Sequence, residues 1–298
     1  MHAVVVDGFG GPEVVRVAEV PVPRPAAGQV RVRVRAAGLN PVDGAVRIGV
    51  FGGAGERIGL GWDVAGEIDA VGEGVDGWTV GQRVIALHYG TVKPLGTHAE
   101  YAVLDADALA AAPASVDDVT AAVVPLSALT AAQALDLLGL EAGDSVLITG
   151  AAGAVGGFAV QLAARAGLVV SALAGAADEE LVRGLGAAHF VPRGSGPAGP
   201  VDGVLDAAVL GEQALAFARD GGSYVGLRPG AAPEPVRGVR VAEQEVAADG
   251  AHLARLAALV DEDVLTPRVG ETYALADAAK AHARLAEGGL RGRIVLTP

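Results

Sequence analysis

The apolar run SVLIT (145–149) passes directly into GAAGAVGG (150–157) and then into the helical pattern of FAVQLAARAG (158–167). Glycines at such a turn let the backbone approach a phosphate closely. The helix start behind them offers unpaired N–H groups and the positive end of a dipole. In the G-x-G-x-x-G register Ala151, Gly153 and Gly156 take the three glycine places, with Ala154 and Val155 at the helix start. The first place is alanine, but the strand–turn–helix context gives the pattern its meaning, a cradle for the pyrophosphate of a dinucleotide. Nicotinamide dinucleotides are sorted at the end of the next strand, where an acid binds the ribose 2′-hydroxyl and repels a 2′-phosphate. Here VVSAL (169–173) runs into Ala174 and Gly175 without an acid, and Asp178 reads as the cap of the following helix. The N–H groups of Ser171 and Gly175 are candidate donors to a 2′-phosphate. Arg193 is its candidate cation, although it also reads as a solvated loop charge. The expected cofactor is NADPH.

Other residue types narrow the chemistry. The chain has no cysteine, which removes disulfides, thiolate nucleophiles and cysteine-based zinc sites together. Its six histidines (2, 88, 98, 189, 252 and 282) show no metal-ligand spacing. A formal net charge of −13 repels phosphate backbones and anionic lipid heads, so neither nucleic acid nor a membrane surface is an expected partner. Ser145–Ala164 carries no charge over a length that could span a bilayer, but its four central glycines make it strand, turn and helix instead. The N-terminus shows no targeting segment, and a cytoplasmic protein is expected.

These groups need elements to hold them. With 298 residues, 51% of them hydrophobic, the chain is long enough for two domains with substantial cores. The first hundred residues read as short strands punctuated by glycine and proline. VRVRVRAA (30–37) has strict period two, so Arg31, Arg33 and Arg35 share a face, either the wet side of a half-buried strand or an anion-binding stripe. WDVAGEIDAVG (62–72), GQRVIAL (81–87) and THAEYAVL (97–104) continue the pattern, which fits a small barrel. From Ser115, a cap candidate, the period becomes helical, and Pro125 splits the segment into two helices. From 145 onward, strands at 145–149, 169–173, 189–191, 201–207, 223–227 and 239–246 alternate with helical stretches at 155–166, 178–185, 211–218 and 251–260. That alternation predicts a doubly wound parallel sheet. Residues 268–298 leave the alternation and read as a return to the first domain. The expected boundaries are 1–118, completed by 268–298, and 119–267.

This organisation, together with AAGLNPVD (36–43), GWDVAGEIDAVGEGV (61–75), VGQRV (80–84), GTHAEY (96–101), LTA (129–131), GAAGAVG (150–156) and RGRIVL (291–296), resembles the zinc-free quinone oxidoreductases of the medium-chain dehydrogenase/reductase superfamily. The resemblance implies an α/β protein with a GroES-like β-barrel catalytic domain and a Rossmann domain. It implies a homodimer and an active site between the two domains. Asn40 stands where zinc-dependent relatives have a cysteine ligand and Trp62 where they have a histidine; neither is a useful zinc ligand, so no metal is expected. The remaining chemistry is hydride donation to an acceptor that holds charge well, a quinone or the β-carbon of an enone. By the resemblance, Asn40 contacts the nicotinamide or the substrate oxygen, and Thr130 lies against the cofactor. Asp43 and Asp63 fix first-domain turns. Many relatives have a tyrosine where this chain has Phe51; in enoyl-thioester reductases such a tyrosine can donate a proton. Its loss favours quinones over enones. Tyr89 is, with Asn40, a candidate catalytic residue, able to supply a hydroxyl from another direction or to serve only as pocket wall; His88 is a pocket residue with the same two readings, and Phe51 and Trp62 form either an aromatic pocket or core. An enone or enoyl reductase and a non-catalytic NADPH-binding protein are the competing readings.

Overall fold

The computed structural model describes residues 1–53 and 55–298. The chain divides into two compact units, Met1–Leu126 with Ala248–Pro298, and Ser127–Ala247. In chain order the first unit contributes β1 (His2–Val6), β2 (Arg16–Glu19), β3 (Gln29–Leu39), α1 (Pro41–Arg47), β4 (Ile58–Gly59), β5 (Asp63–Val71), β6 (Arg83–Leu87), β7 (Tyr101–Asp105), β8 (Leu109–Ala111) and α2 (Asp118–Ala121). Helix α3 (Pro125–Leu138) leads into the second unit, with β9 (Ser145–Thr149), α4 (Ala154–Arg165), β10 (Val169–Ala174), α5 (Glu179–Gly184), β11 (His189–Pro192), β12 (Val201–Asp206), α6 (Glu212–Leu215), β13 (Ala218–Gly226) and β14 (Arg240–Glu243). The chain then returns through α7 (Gly250–Asp261), β15 (Val269–Ala274), α8 (Ala278–Glu287) and β16 (Arg293–Thr297).

In the first unit β3 is the organising strand. Its valines at 30, 32 and 34 are buried in one cluster with Val64, Val84 and Leu104. Its arginines face the other way. Arg31 pairs with Asp69 at 2.9 Å, Arg35 with Glu67 at 2.9 Å, and both Arg31 and Arg33 lie over the Tyr101 ring. The period-two stripe is therefore an ion-paired outer face. The sheet runs β15-β16-β3-β5-β6-β8 with β7 also on β3, and a separate three-stranded sheet runs β2-β1-β4. Among the described residues the pairing does not close into a barrel. The eleven residues of β3 are shared out, β5 and β7 taking the first part and β16 taking Ala37–Leu39, with register shifts along the β5 side.

Two sequence expectations change here. The cap of α2 is Asp117, whose Oδ1 accepts from Thr120 N at 2.8 Å, and not Ser115. The Ser115 N–H instead donates to Asp261 Oδ1 at 2.8 Å, on α7. That helix belongs to the first unit, so the return begins at residue 248 and not at 268. Its helical pattern follows a strand pattern, as in a βαβ unit, but its first residue, Gly250, lies so close to β8 that a Cβ there would stand 2.3 Å from Leu109 O.

The second unit is a six-stranded, all-parallel sheet of order β11-β10-β9-β12-β13-β14. Numbered within the unit this is 3-2-1-4-5-6, and the order reverses between β9 and β12. Leu147, Leu173, Val191, Val204 and Tyr224 share its core. The last strand is shorter than 239–246, and the helix expected at 211–218 is the single turn α6. Asp118–Leu138 is apolar enough by length and composition to cross a membrane, but 78% of its most apolar window is buried inside the fold.

Candidate active site

The glycine turn leaves the carboxyl end of the central strand β9 and opens α4. Gly150 adopts φ +59°, and Gly156 packs against it so closely that a Cβ would stand 2.3 Å from Gly150 O. Gly156 is thus fixed by the helix–strand contact itself. At Gly153, the N-cap, a Cβ would stand 3.1 Å from Gly150 O. The fold accommodates a side chain there only tightly, and a phosphate approaching the turn needs that space. By their place in the first turn, the N–H groups of Ala154, Val155 and Gly156 have no intrahelical acceptor. Ala151 is fully buried, and its N–H donates to Leu173 O at 3.1 Å, which ties the turn to β10. The residues present fit the pyrophosphate of a dinucleotide.

Beside the turn, at the order reversal, lies a network that the sequence motifs did not single out. Thr149 Oγ1 donates to Asp206 Oδ1 at 2.6 Å, and Tyr224 Oη and Gly211 N both donate to Asp206 Oδ2 at 2.8 Å. Burial and the Asp206 carboxylate hold the Tyr224 phenol above its usual range. These bonds lock the carboxyl ends of β9, β12 and β13 together. The available signal was an aspartate closing the apolar strand VDGVLD.

The expected 2′-phosphate contacts separate. Gly175 lies just beyond β10, and Arg193 N donates to Ala174 O at 2.8 Å, so both stand at the strand's exit. Ser171 does not. It is paired with Leu147 and His189 inside the sheet, three residues before the end of β10 and so about 10 Å upstream. The buried Asp178 turns back toward the exit, where a Cβ on Gly175 would stand 3.0 Å from its Oδ2. Thr130 is buried on α3 in the second unit.

In the first unit, Asn40 is completely buried at the start of α1. Its Nδ2 donates to Asp63 Oδ2 at 2.8 Å and to Gly38 O at 3.3 Å, while its Oδ1 has no partner. Asn40 therefore presents an acceptor, not a donor. Asp43 accepts from Asn40 N at 2.8 Å and Gly61 N at 2.7 Å, and Asp63 Oδ1 accepts from Leu126 N at 2.6 Å; both acids fix turns. Burial pushes the Asp63 carboxyl up to about 7, against the opposing pull of its Asn40 bond.

Trp62 is 4% exposed, and its ring partner is Tyr89, edge-on at 5.5 Å. Phe51 lies on an exposed loop and is not core. His88 N donates to Trp62 O at 2.7 Å; burial first, and the charge of Lys93 second, hold its imidazole down to about 3, so it is neutral and no acid near pH 7. Lys93 is the group that sequence reasoning missed. It is buried, its Nζ donates to His88 O at 2.7 Å, and it lies 4.8 Å from the Trp62 ring centre. The signal was its rarity, since Lys93 and Lys280 are the only lysines beside twenty arginines. No group of three or more His, Asp or Glu residues among the described residues could hold a metal ion.

Known proteins place this arrangement. Residues 26–114 match the alcohol dehydrogenase GroES-like domain and residues 177–296 the zinc-binding dehydrogenase domain. A chloroplastic quinone-oxidoreductase homolog of Spinacia oleracea is 34% identical over 251 residues, covering 77% of this chain and 75% of that protein. The chain belongs to the medium-chain dehydrogenase/reductase superfamily, as a zinc-free quinone oxidoreductase type. The quinone oxidoreductase of Coxiella burnetii superposes on this superfamily member with a TM-score of 0.90 at 27% identity, covering 100% of this chain and 99% of that one. Erythronolide synthase EryA2 of Saccharopolyspora erythraea is 44% identical over 161 residues, which are 54% of this chain and only 4% of that synthase. As a medium-chain dehydrogenase/reductase the chain is an oxidoreductase of the class that uses a nicotinamide cofactor.

Proposed function

We propose that this protein is an NADPH-dependent, zinc-independent oxidoreductase that reduces a quinone or a similarly activated carbonyl compound. The observation that carries the reading is the pyrophosphate cradle at the head of the 3-2-1-4-5-6 sheet, in a chain where Asn40 and Trp62, neither a useful zinc ligand, stand at the zinc-ligand places. A bound reduced nicotinamide supplies the hydride. The second unit holds the dinucleotide through the backbone of Gly153–Gly156. The first unit holds the substrate, with the Trp62–Tyr89 pair as an aromatic wall and Asn40 Oδ1 as a buried acceptor for the O–H of the reduced product, not for a quinone oxygen.

NADPH is favoured over NADH because Ala174 and Gly175 close β10 without an acid and Arg193 starts beside them. The competing group is Asp178. Titration by fluorescence with both cofactors decides between them. Tighter NADPH binding, lost in Arg193→Ala and strengthened in Asp178→Asn, is the expected result; equal or reversed affinity sinks the assignment. Reduction of an enone is the second reading, favoured by the similarity to a stretch of a polyketide synthase. NADPH consumption measured with 1,4-naphthoquinone and 2-cyclohexenone tests both, and tight NADPH binding without turnover of either would leave a non-catalytic binding protein. A homodimer is the expected assembly, checked by light scattering.

A further inference from the structure

The cofactor-and-acceptor reading leaves a chemical gap. Reducing a carbon–carbon double bond conjugated to a carbonyl needs a proton as well as a hydride; Phe51 and neutral His88 cannot give one, and the phenol of Tyr89, on the exposed side of Trp62, is the competing donor. We propose that Lys93 is the proton donor of this site, and that the site is built for α,β-unsaturated carbonyl compounds. This inference rests on the oxidoreductase reading above.

The geometry is specific. Lys93 sits in the loop after β6, with its side chain turned inward. His88 O takes one Nζ hydrogen, and the face of Trp62 carries the charge. An ammonium has three hydrogens, so a donor remains for a substrate oxygen or carbon. His88 is fixed in turn by its N–H bond to Trp62 O at 2.7 Å, which holds the ring and the amine in one frame. Large apolar side chains are exposed on the loop that carries Lys93 and on the loop that follows α1. Ile48, Val50 and Phe51 on one loop and Tyr89 and Val92 on another are all large and exposed. The two loops meet, since a Cβ on Gly53 would stand 3.1 Å from Val92 Cγ1. A buried amine on a loop whose Tyr89 and Val92 are large and exposed suits a ligand with a hydrocarbon body and one carbonyl oxygen.

The ionisable groups around Lys93 act in both directions. Asp43 on α1 and Asp63 at the start of β5 favour its charged form, while burial, the larger effect, pushes it down from 10.5 to about 7. His88 and His98 face it as neutral rings, both held down mainly by burial, and Tyr89 borders it through Trp62. An amine in this range gives up a proton near neutrality, which an ordinary lysine does not. In the step, the hydride forms the new C–H bond at the β-carbon, and the electron pair of the double bond moves to the α-carbon and carbonyl oxygen. An Nζ–H bond of Lys93 breaks to place the proton on that enolate, and solvent reprotonates the neutral amine.

Two lysines in the chain make the test direct. In protein carrying 15N-lysine, one of two Nζ resonances should titrate near pH 7 and should move on adding cyclohexanone, the saturated product. If both resonances titrate near 10 or above, or if neither moves with cyclohexanone, the proposal is overturned without any turnover assay. In steady state, kcat for 2-cyclohexenone should fall as pH rises through about 7. Lys93→Met should lower it roughly 10²-fold or more and remove that pH limb, with NADPH affinity unchanged and 1,4-naphthoquinone turnover much less affected. Lys93→Arg keeps the charge but not the titration, so it should stay slow; full rescue by arginine would show that charge alone matters and would defeat proton donation. Turnover of the quinone but not the enone by the wild-type protein would also overturn it while leaving the oxidoreductase reading intact. Failure with both acceptors would remove that reading, and the resonance titration would still decide the state and accessibility of Lys93.

Discussion

Single side chains of the first unit set both its chemistry and its pH dependence. Asn40 gives two hydrogens to Asp63 and Gly38 and keeps one acceptor free, so Asn40→Ala removes an orienting contact from the acceptor site and leaves the cradle untouched. Turnover should fall about 10-fold to 100-fold with NADPH affinity unchanged. The same substitution leaves the buried Asp63 carboxyl short of a donor, and urea unfolding should register a loss of about 1–3 kcal/mol. Asp63 and Lys93, two of the shifted groups of this unit, act in opposite windows. Asp63 is raised from 3.8 to about 7, so the folded chain holds more protons than the unfolded chain between those values, and its contribution falls as pH rises from 4 to 7. Lys93 is lowered from 10.5 to about 7, so the unfolded chain holds more protons above 7, and its contribution grows from pH 7 toward 10. Unfolding followed across pH 4–10 should lose the first limb in Asp63→Asn and the second in Lys93→Met. Limbs that persist in these variants would assign the dependence to other groups.

At the level of elements, the turn between β9 and α4 separates two uses of glycine. A Cβ at Gly156 collides with the Gly150 backbone at 2.3 Å, whereas one at Gly153 meets only Gly150 O, at 3.1 Å. Gly156→Ala should therefore destabilise the second unit by about 1–3 kcal/mol, because helix and turn must move apart. Gly153→Val should keep the circular dichroism of the fold and lower melting less than Gly156→Ala does, while abolishing NADPH binding, since its methyls fill the space the pyrophosphate needs. Wild-type affinity in Gly153→Val would put the cofactor elsewhere. The Asp206 network is the other load on this region. Its four donors and acceptors tie three strand ends, so Asp206→Ala should cost both stability and cofactor affinity.

On the scale of the whole molecule, the two units differ in how the chain builds them. The second is continuous, Ser127–Ala247, with a core drawn from its own strands. Expressed alone, that stretch should fold and still bind NADPH. The first needs both ends of the chain: β16 pairs with β3 through Ile294↔Leu39 and Leu296↔Ala37, and Ser115 is held by Asp261. A chain ending at residue 247 should lose the first unit, seen as proteolytic sensitivity confined to residues 1–126, while the cradle persists.

Period and punctuation made much of this legible in the amino-acid order. Alternation in VRVRVRAA specifies a strand with one dry face, and apolar runs separated by helical spacing specify a parallel sheet, because burial forces side-chain period to follow backbone geometry. GAAGAVGG between strand and helix marks the cradle for the same local reason. The boundary of the second unit was not legible, because α7 has the same amphipathic pattern whichever sheet it covers, and only the contact of Gly250 with Leu109 decides. Ser171 looked available for the cofactor because sequence gives strand membership and not distance from the strand's end. Lys93 is the clearest case. In sequence it is a lysine in a glycine-rich loop, as apt to be solvated as not. Folding buries it against Trp62, and that loss of water, a property of the tertiary structure alone, pulls the ammonium down from 10.5 to about 7.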